Sequence, residues 1–458
     1  MPTWQVGVGA ASSTAAEVSG NLPIWCSDLE LGAHLPTELV APSSSYRSLR
    51  CLVRLHGDPL GYISLPLSAG RVSADKAAYV IGATLQAEIN SHRDQEGLPP
   101  AETITVAGLG PPGSDCPNAP DHTPFISVVV CTRNRADLLL SCVRALKNLT
   151  YPHFEVIVVD NAPMDSSTRT TVEQEVGDDV RFLYVIEPRP GLSCARNRGL
   201  ATARGEIVAY TDDDVTVDPG WLSGVARGFA ARADVGCVTG LACTAAIEGP
   251  AEAYFDARVS WADSCQRQIF DMSPRWRDGL YPYSPGRFGT GANFAFQTQL
   301  LKSLGGFDEA LGAGTLTAGG EDLDAFLRVL LAGYAIAYEP AGIVWHHHRA
   351  DLDDLRKQMF GYGTGLTAFL TKHLLDARTR RALLHRVPSG IRKMVRIPGN
   401  TRDSMMTEQA PGGELLLREF LGFAAGPLCY ARARRRASAT GASTRSQQTP
   451  VPPGETSA

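Results

Sequence analysis

Short apolar runs alternate with amphipathic helical patterns through the middle of the chain. Runs rich in apolar residues predict strands at 126–131, 155–159, 180–186, 207–210 and 334–345, of which 126–131 and 207–210 read as buried. Periodic apolar positions predict helices between the early runs, at 136–148 and 193–204. Strands that alternate with helices across short links predict a mostly parallel, Rossmann-like sheet with helices on both faces, which is an α/β fold.

A smaller pattern precedes this region. Strands at 50–55 and 60–67 flank a turn, and a helical pattern follows at 74–92. These elements predict a small α+β accessory module over 22–107, joined by a Gly/Pro-rich linker at 108–124 to the main domain at 125–375. We expect residues 1–21 to be disordered.

Two helical patterns end the chain. The first covers 351–375, where the glycines at 361–365 predict an interruption, and the second covers 414–430 within a helical, basic segment at 376–436. The apolar helix at 414–430 is followed by a cluster of arginines, so two alternatives remain open. It lies on an anionic membrane surface, or it packs on the main domain. The Ser/Thr/Pro-rich residues 437–458 predict a disordered tail.

Charge is unevenly distributed along the chain. The net charge is −5, yet residues 372–436 carry 14 Lys and Arg against 5 Asp and Glu. The acidic main body argues against a nucleic-acid partner, whereas the basic segment is compatible with an anionic surface.

Cysteine usage and hydropathy indicate a compartment. The ten cysteines form no Cys-x-x-Cys pair, and several lie inside apolar runs, which is typical of reduced thiols. No basic and then apolar leader opens the chain, and no apolar run approaches the roughly 18–20 residues that span a bilayer. We therefore expect a cytoplasmic location, with peripheral association at the inner face of the cell membrane as an added possibility.

Three consecutive carboxylates follow the strand at 207–210. If the backbone stays extended, Asp212 and Asp214 point to one side and Asp213 to the other. Two carboxylates on one side repel each other unless a cation lies between them. A solvated acidic turn is the alternative, but the run lies at the carboxyl end of a buried strand, where open α/β sheets bind ligands. The pattern therefore predicts a divalent metal site.

Polar residues also follow other predicted strands. Arg133 can neutralise a phosphate and Asp160 can accept hydrogen bonds from a base N–H, although the adjacent Asn134 and Asn161 could equally serve as helix caps. Arg196 lies near the start of a helix, where anions bind, or else faces water on a surface helix.

The last third of the chain adds a candidate base and a nitrogen ligand. Asp322 follows two glycines that let a substrate approach, so we take it as the general base, while Glu321 is open to a simpler role beside the helix dipole. Three histidines at 346–348 end a predicted strand. An imidazole among them favours Mn²⁺ over Mg²⁺, and an incidental loop is the alternative.

Taken together, these motifs resemble the family 2 glycosyltransferases of GT-A fold. The resemblance covers residues 125–375 and rests on the ordered occurrence of Val-Val-Val-Cys-Thr-Arg-Asn-Arg, Val-Val-Asp-Asn, Gly-Leu-Ser-x-Ala-Arg-Asn-x-Gly, Asp-Asp-Asp, Gly-x-Asn, Gly-Gly-Phe-Asp, Gly-Gly-Glu-Asp and a later His. It implies donor-nucleotide contacts by Thr132, Arg133, Asp160, Arg196, Asp212 and Asp213. It implies Asp322 as catalytic base, Asn293 and Glu321 as acceptor or sugar contacts, and Asp212, Asp214 and His346 as metal ligands.

The resemblance further implies an activity. A sugar would pass from a nucleoside-diphosphate sugar to an acceptor hydroxyl with inversion, in the presence of Mn²⁺ or Mg²⁺, and a cell-envelope glycan or lipid-linked molecule is the expected acceptor. A nucleotidyltransferase and a catalytically inactive nucleotide-sugar-binding protein are the alternatives. Pro163 departs from the family pattern on the base side, and the long aromatic segment at 248–287 leaves the acceptor open.

Overall fold

A small module begins the described part of the chain. The structure, a computed structural model, describes residues 22–114, 123–259, 264–276, 279–390 and 412–447. The module contains β1 (Ile24–Glu30), β2 (Glu38–Val40), β3 (Ser48–Leu55), β4 (Asp58–Pro66), β5 (Arg71–Ser73) and α1 (Ala74–Gln95). Strand β3 is parallel to β1 and antiparallel to β4, and α1 packs on them through a buried stripe that includes Ala77, Ile81 and Ile89.

The residues after α1 pack against this module. The amide of Leu109 donates to the carbonyl of Leu31 at 2.7 Å, and a ring nitrogen of His56 lies 3.0 Å from the carbonyl oxygen of Gly110. The first residues of the stretch predicted as a linker are therefore held on the module's surface. The predicted disordered residues 1–21 lie outside the described residues.

A nine-stranded sheet forms the centre of the molecule. Its strands are β6 (Ile126–Thr132), β7 (Phe154–Asn161), β8 (Phe182–Glu187), β9 (Ile207–Asp212), β10 (Val215–Val217), β11 (Val235–Thr244), β13 (Gln268–Phe270), β14 (Asn293–Gln297) and β15 (Ala335–His346). The order is β10-β15-β11-β14-β9-β6-β7-β8, with β13 also paired to β15. The run β9-β6-β7-β8 is parallel throughout, while β14 is antiparallel to β9 and β11. The predicted mostly parallel α/β fold is confirmed.

Helices cover both faces of this sheet. They are α2 (Ala136–Lys147), α3 (Ser167–Val176), α4 (Leu192–Thr202), α5 (Trp221–Ala230), α6 (Pro250–Val259), α7 (Thr298–Ser303) and α8 (Glu321–Leu331). Helices α2 and α5 contribute to the apolar core on one face, and α4 and α8 contribute to the core on the other. Gly199 in α4 allows a close approach to β6, because a Cβ there would lie 2.4 Å from a methyl group of Val129.

The module and the main domain share a sheet and several ion pairs. Strand β12 (Ala246–Ile247) follows β11 and pairs antiparallel with β1, so the main domain completes the module's sheet. Asp58 of the module accepts hydrogen bonds from Arg227 at 2.6 Å and from Arg267 at 2.8 Å. Arg54 of the module donates to Asp218 at 2.6 Å.

Three helices complete the described chain: α9 (Leu352–Leu375), α10 (Ala377–Leu384) and α11 (Gly412–Gln447). The predicted interruption at 361–365 was wrong, because α9 is continuous there. The glycines serve contact instead: a Cβ on Gly363 would lie 2.1 Å from the carbonyl oxygen of Glu419, and one on Gly422 would lie 2.2 Å from that of Phe360. Helix α11 therefore packs directly on α9.

Helix α11 also keeps an exposed apolar side. Leu417, Leu421 and Leu428 are each half exposed or more, while positions such as Leu415, Phe423 and Tyr430 are buried. The helix extends to Gln447, so residues 437–447, predicted as disordered, are helical, and the rest of that predicted tail lies outside the described residues. Among the described residues, no helix combines the length and the hydropathy needed to cross a bilayer.

Candidate active site

The aspartate run lies between two strands, and its side chains alternate. Asp213 accepts hydrogen bonds from the hydroxyl of Thr132 at 2.7 Å and from Arg135 at 2.5 Å. Asp212 and Asp214 lie with His346, where one ligand atom of each falls within 4.8 Å of the others. Strand β9 ends at Asp212 and β10 begins at Val215, so Asp213 and Asp214 form a turn and the side chains separate there without the extended backbone that the sequence suggested.

Strand pairing brings His346 to the run. Strand β10 pairs antiparallel with β15, so that Val215 lies opposite His346. Its Nε2 atom lies 3.6 Å from Asp214 Oδ1, and its Nδ1 atom lies 3.1 Å from Nδ1 of His348. His347 is exposed, so the three consecutive histidines have different surroundings.

Burial and charge set the protonation of the run. Burial raises the pKa of Asp212 to about 6, opposed by Arg196 and reinforced by the negative charges of Asp214 and Asp322. Burial also raises the pKa of Asp213 to about 7, against the effect of Arg135. Burial acts to raise the pKa of Asp214 too, but the neighbouring cationic groups outweigh it and lower the pKa. A cation bound here would relieve the repulsion between these carboxylates.

The group of Asp212, Asp214 and His346 has a neutral nitrogen available. Burial lowers the pKa of His346, although Asp214 acts to raise it. The deprotonated imidazole that results is the form that coordinates metals. Two carboxylates and one imidazole make a donor set that suits Mn²⁺ and leaves coordination positions for other oxygen ligands.

Arg196 is buried and binds both the aspartate run and the first turn of α8. It donates to Glu321 at 2.9 Å, to Asp212 at 3.3 Å and to the carbonyl of Gly291 at 2.8 Å. Its guanidinium carbon lies 5.0 Å from the ring centroid of Phe294, a cation–π distance. These contacts direct Arg196 to protein groups, which differs from the predicted contact with ribose and diphosphate.

Asp322 lies in the first turn of α8, next to Glu321, which pairs with Arg196. Its carboxylate accepts from the amide of Leu323 at 2.8 Å, and Oδ2 lies 2.9 Å from the position that a Cβ of Gly291 would take. Burial raises the pKa of Asp322, while Arg196 lowers it. The charge of Asp322 in turn raises the pKa of Asp212, so the predicted base and the aspartate run share one site.

Glu321 is more enclosed than its neighbour. It is buried against Arg196, and burial raises its pKa to about 7. Its second oxygen has no hydrogen-bond partner among the residues that the structure describes. Its contact with Arg196 ties α8 to the aspartate run.

The predicted nucleotide contacts are spread along the strand ends. Asp160 is fully buried at the end of β7, where one oxygen accepts from the hydroxyl of Tyr184 at 2.6 Å and the other lacks a hydrogen-bond partner within the described ranges. Arg133 is exposed, and one guanidinium nitrogen lies 3.8 Å from the position of a Cβ on Gly314. Thr132 is buried and holds Asp213.

Asn293 lies apart from the open site. Its Oδ1 accepts from the indole of Trp221 at 2.8 Å, and its Nδ2 donates to the carbonyls of Leu241 at 3.0 Å and Gly342 at 2.7 Å. The side chain is buried and its polar atoms bind protein groups. This placement argues against the predicted contact with acceptor or sugar and makes Asn293 a link between strands.

Sequence reasoning missed two arginines near the aspartate run. Arg135 donates to Asp213 and, at 3.0 Å, to Asp214. Arg349 is exposed, and its positive charge lowers the pKa of Asp214. A signal was present in both cases, since Arg135 stands in the motif after β6 and Arg349 directly follows the histidines.

Two aromatic residues of the segment after β12 are buried against the C-terminal helices. Tyr254 and Phe255 of α6 pack with Leu355 and Met359 of α9 and with Leu415 of α11. These two residues therefore support the C-terminal helices.

Comparisons with known proteins identify relatives. The family model described as Glycosyl transferase family 2 matches residues 127–280. The succinoglycan biosynthesis protein ExoM of Rhizobium meliloti (strain 1021) is 32% identical over 257 residues, which cover 53% of this chain and 74% of ExoM. The pre-mycofactocin glycosyltransferase of Mycobacterium tuberculosis (strain ATCC 25618 / H37Rv) is 29% identical over 259 residues, 56% of this chain and 50% of that protein.

The match to this chain spans half the length of the pre-mycofactocin glycosyltransferase and a third of another relative. The protein y4gI of Sinorhizobium fredii is 29% identical over 324 residues, 66% of this chain and 33% of y4gI. Among solved structures, a mannosyltransferase from Pyrobaculum calidifontis in complex with GDP-Man and Mn²⁺ is 22% identical, with a TM-score of 0.44, and the match covers 68% of this chain and 87% of that one.

The family match includes the elements that carry Asp160, Arg196 and the aspartate run, and ExoM is matched over most of its length. The chain therefore belongs to the family 2 glycosyltransferases.

Proposed function

We propose that this enzyme moves a sugar from a nucleoside-diphosphate sugar to an acceptor hydroxyl, with a divalent metal and with inversion at the anomeric carbon. The observation that carries the proposal is the grouping of Asp212, Asp214 and His346 beside Arg196, which also pairs with Glu321, the neighbour of Asp322. Breaking the sugar–diphosphate bond requires stabilisation of negative charge and an activated alcohol. The group of Asp212, Asp214 and His346 would supply the first through a metal, and Asp322 would supply the second.

Asp212, Asp214 and His346 are the residues that would hold Mn²⁺ or Mg²⁺. The metal, when bound, stabilises the charge that develops on the departing diphosphate. Arg135 donates to Asp214 and Arg196 donates to Asp212, and these contacts hold the two carboxylates in place. Their hydrogen bonds limit the motion of the carboxylates before any ligand arrives.

Asp322 is proposed to take the proton of the acceptor hydroxyl. Its partial exposure admits an alcohol, and burial raises its pKa, which strengthens it as a base. General-base catalysis of this kind contributes about 10²–10⁴-fold. Because the adjacent Glu321 is buried and paired with Arg196, one free carboxylate remains on this side, which favours direct displacement and inversion.

The nucleotide is proposed to lie along the ends of β6 and β7. Arg133 and Arg349 are exposed cations at the rim and suit the diphosphate. The unpartnered oxygen of Asp160 suits a base N–H, once the surroundings of Tyr184 open to admit it.

The experiment that tests the proposal is a product assay. Purified enzyme is incubated with Mn²⁺ and a panel of UDP- and GDP-linked hexoses, and we expect release of nucleoside diphosphate that EDTA abolishes. Release of pyrophosphate from a nucleoside triphosphate and a sugar phosphate would instead support a nucleotidyltransferase. Binding of nucleotide sugars without turnover would support a catalytically inactive binding protein.

The acceptor is proposed to be a cell-envelope glycan or a lipid-linked molecule. ExoM, which is similar over 74% of its length, is named for succinoglycan biosynthesis. Activated sugars for such polymers are made in the cytoplasm, which is where we place the enzyme.

Helix α11 is proposed to hold the enzyme at the inner face of the membrane. At 100° per residue, Leu417, Leu421 and Leu428 fall on one stripe with Arg432 and Arg435. All five side chains are exposed, and an apolar stripe that ends in cations suits an anionic surface.

Flotation with vesicles that contain anionic lipid tests this association. We expect the wild type to float with the vesicles and the double variant Leu417→Gln/Leu421→Gln to stay in solution. The control, Leu138→Gln/Leu183→Gln, replaces exposed leucines of α2 and β8 and is expected to float. Equal flotation of both variants would contradict the role of α11.

A further inference from the structure

A row of buried polar side chains connects His346 to the N-terminal module. Nδ1 of His346 lies 3.1 Å from Nδ1 of His348, and Nε2 of His348 lies 3.0 Å from the hydroxyl oxygen of Thr244. That hydroxyl donates to Asp256, which also accepts from Arg50 at 2.8 and 2.9 Å. The row therefore begins on β3 of the module and ends at a proposed metal ligand.

Four separate elements supply this row. Arg50 lies in β3, Thr244 ends β11, Asp256 lies in α6, and the histidines follow one another at the end of β15. The side chains of Arg50 and Asp256 are 18% and 14% exposed, and that of His348 is 1% exposed. Water therefore competes little for these hydrogen bonds, so their geometry is well defined.

Asp256 determines which atom donates in each hydrogen bond of the row. A carboxylate paired with arginine only accepts, so the proton of Thr244 points toward it. The oxygen of Thr244 is then free to accept from Nε2–H of His348, which leaves Nδ1 of His348 to accept from Nδ1–H of His346. A neutral imidazole with its proton on Nδ1 carries its lone pair on Nε2.

The unprotonated nitrogen of His346 then faces the aspartate run. Nε2 lies 3.6 Å from Asp214 Oδ1, inside the group that would hold a metal. We propose that Arg50, Asp256 and His348 are positioning residues that fix the tautomer and the ring orientation of His346, so that the N-terminal module helps to build the metal site. This inference rests on the proposed function, which makes His346 a ligand.

Arg54 provides a matched control. It lies on the same strand as Arg50 and likewise joins the module to the main domain, through Asp218 at 2.6 Å, with a second contact to Asp28 at 2.9 Å. Its partners lie outside the row. Loss of Arg54 therefore reports what a weaker interface alone does to the metal site.

The test measures binding of Mn²⁺ alone to the full chain, from the electron paramagnetic resonance signal of free Mn²⁺ at pH 7.5. We expect His348→Phe to weaken Mn²⁺ binding by about 10-fold or more, in line with other residues that orient metal ligands. We expect Arg50→Ala to weaken it in the same direction, Arg50→Lys to restore part of the affinity, and Arg54→Ala to bind like the wild type.

A folding defect must be told apart from a loss of the metal site. Thermal melting of each variant shows whether it folds, and His348→Phe tests the row without touching the module, so a poorly folded Arg50→Ala does not end the test. The proposal is overturned if His348→Phe and Arg50→Ala both bind Mn²⁺ as tightly as Arg54→Ala.

Asp214→Ala separates this inference from the proposed function. If Asp214→Ala loses Mn²⁺ binding while His348→Phe keeps it, the metal site stands and the positioning role falls. If Asp214→Ala binds Mn²⁺ like the wild type, the proposed metal site itself falls and takes the positioning role with it.

Discussion

At the scale of single residues, neighbouring carboxylates in this protein differ in their contacts and in their exposure. Asp213 is enclosed by Thr132 and Arg135, whereas the residues on either side of it point toward His346. Asp322 is partly open, while Asp324, two positions later, is fully buried. Position relative to the backbone, more than residue type, decides which carboxylate is available for chemistry.

Replacement of the proposed base is expected to separate binding from transfer. Asp322→Asn keeps the shape of the side chain and removes the proton acceptor, so we expect transfer to fall about 10²–10⁴-fold while affinity for nucleotide sugar and Mn²⁺ is retained. Initial rates and calorimetric titration measure the two effects. Equal loss of binding and transfer would contradict the assignment.

The pH profile gives a second view of the same residue. Burial raises the pKa of Asp322 above its ordinary value of 3.8. Because the base must be deprotonated to act, the transfer rate is expected to rise with pH, with its ascending limb above the ordinary carboxylate range.

Asp324 is expected to act through stability instead. It accepts from Arg328 at 2.8 Å and lies 2.9 Å from Lys372 and 3.2 Å from His373. Burial acts to raise its pKa, but Arg328, His373 and Lys372 outweigh burial and lower it. A folded-state pKa below the unfolded value stabilises the protein above that unfolded value, and the contribution is lost as the pH falls through the folded pKa.

The Asp324→Asn variant is therefore expected to be destabilised by about 3–5 kcal/mol at pH 7, the usual effect of breaking a buried ion pair. The difference from wild type should shrink as the pH falls below about 4. Urea unfolding at several pH values measures it. The control Asp353→Asn removes a carboxylate that is 74% exposed and should change stability little.

At the scale of elements, glycines decide how the C-terminal helices meet. Gly363, Gly422 and Gly426 each place their Cα where a side chain would collide with the facing helix. Contact between α9 and α11 then buries Phe423 and Tyr430 on one side of α11 and leaves its leucines exposed on the other.

Gly363→Ala is expected to separate these helices. Its Cβ would lie 2.1 Å from the carbonyl oxygen of Glu419, so we expect a loss of about 1–3 kcal/mol despite the better helix propensity of alanine. Thermal melting and proteolysis of α11 measure the effect. Gly413→Ala is the control, because no atom lies within 4 Å of its Cβ position, and a melting temperature equal to that of this control would contradict the packing argument.

The elements themselves were largely predictable, and the contacts between them were not. Buried strands such as β6 and β9 are visible in the sequence as apolar runs, and the aspartate run was expected at the carboxyl end of β9. The glycines at 361–365 suggested a break because low helix propensity does not reveal a facing helix. Asn293 could not be assigned to strand linking, because Trp221 lies 72 residues away in the chain.

At the scale of the whole molecule, the N-terminal module is fastened to the catalytic domain by buried charge. Asp58 lies between Arg227 and Arg267, and both arginines also bind Glu339. Arg50 reaches Asp256 across 206 positions of the chain. No local pattern signals such pairs, which is why a shape but no role could be predicted for this module.

Loss of the central carboxylate of this interface is expected to loosen the whole protein. Asp58 is buried, and Asp58→Asn removes the negative charge that it shares with Arg227 and Arg267, so we expect a destabilisation of about 3–5 kcal/mol. Calorimetric melting measures the change. The control Glu38→Gln breaks an exposed pair with Arg71 and should cost no more than about 1 kcal/mol. Similar melting of the two variants would show that the interface contributes little.

Strand β12 has a consequence for the order in which the polypeptide folds during synthesis. Because β1 has β3 on one side and residues 246–247 on the other, the edge of β1 at Ile24 and Trp25 stays open until synthesis has passed residue 247. Nascent chains interrupted before that point carry an unpaired edge that invites association with other chains. The first half of synthesis is thus the interval in which this edge most needs protection by a chaperone.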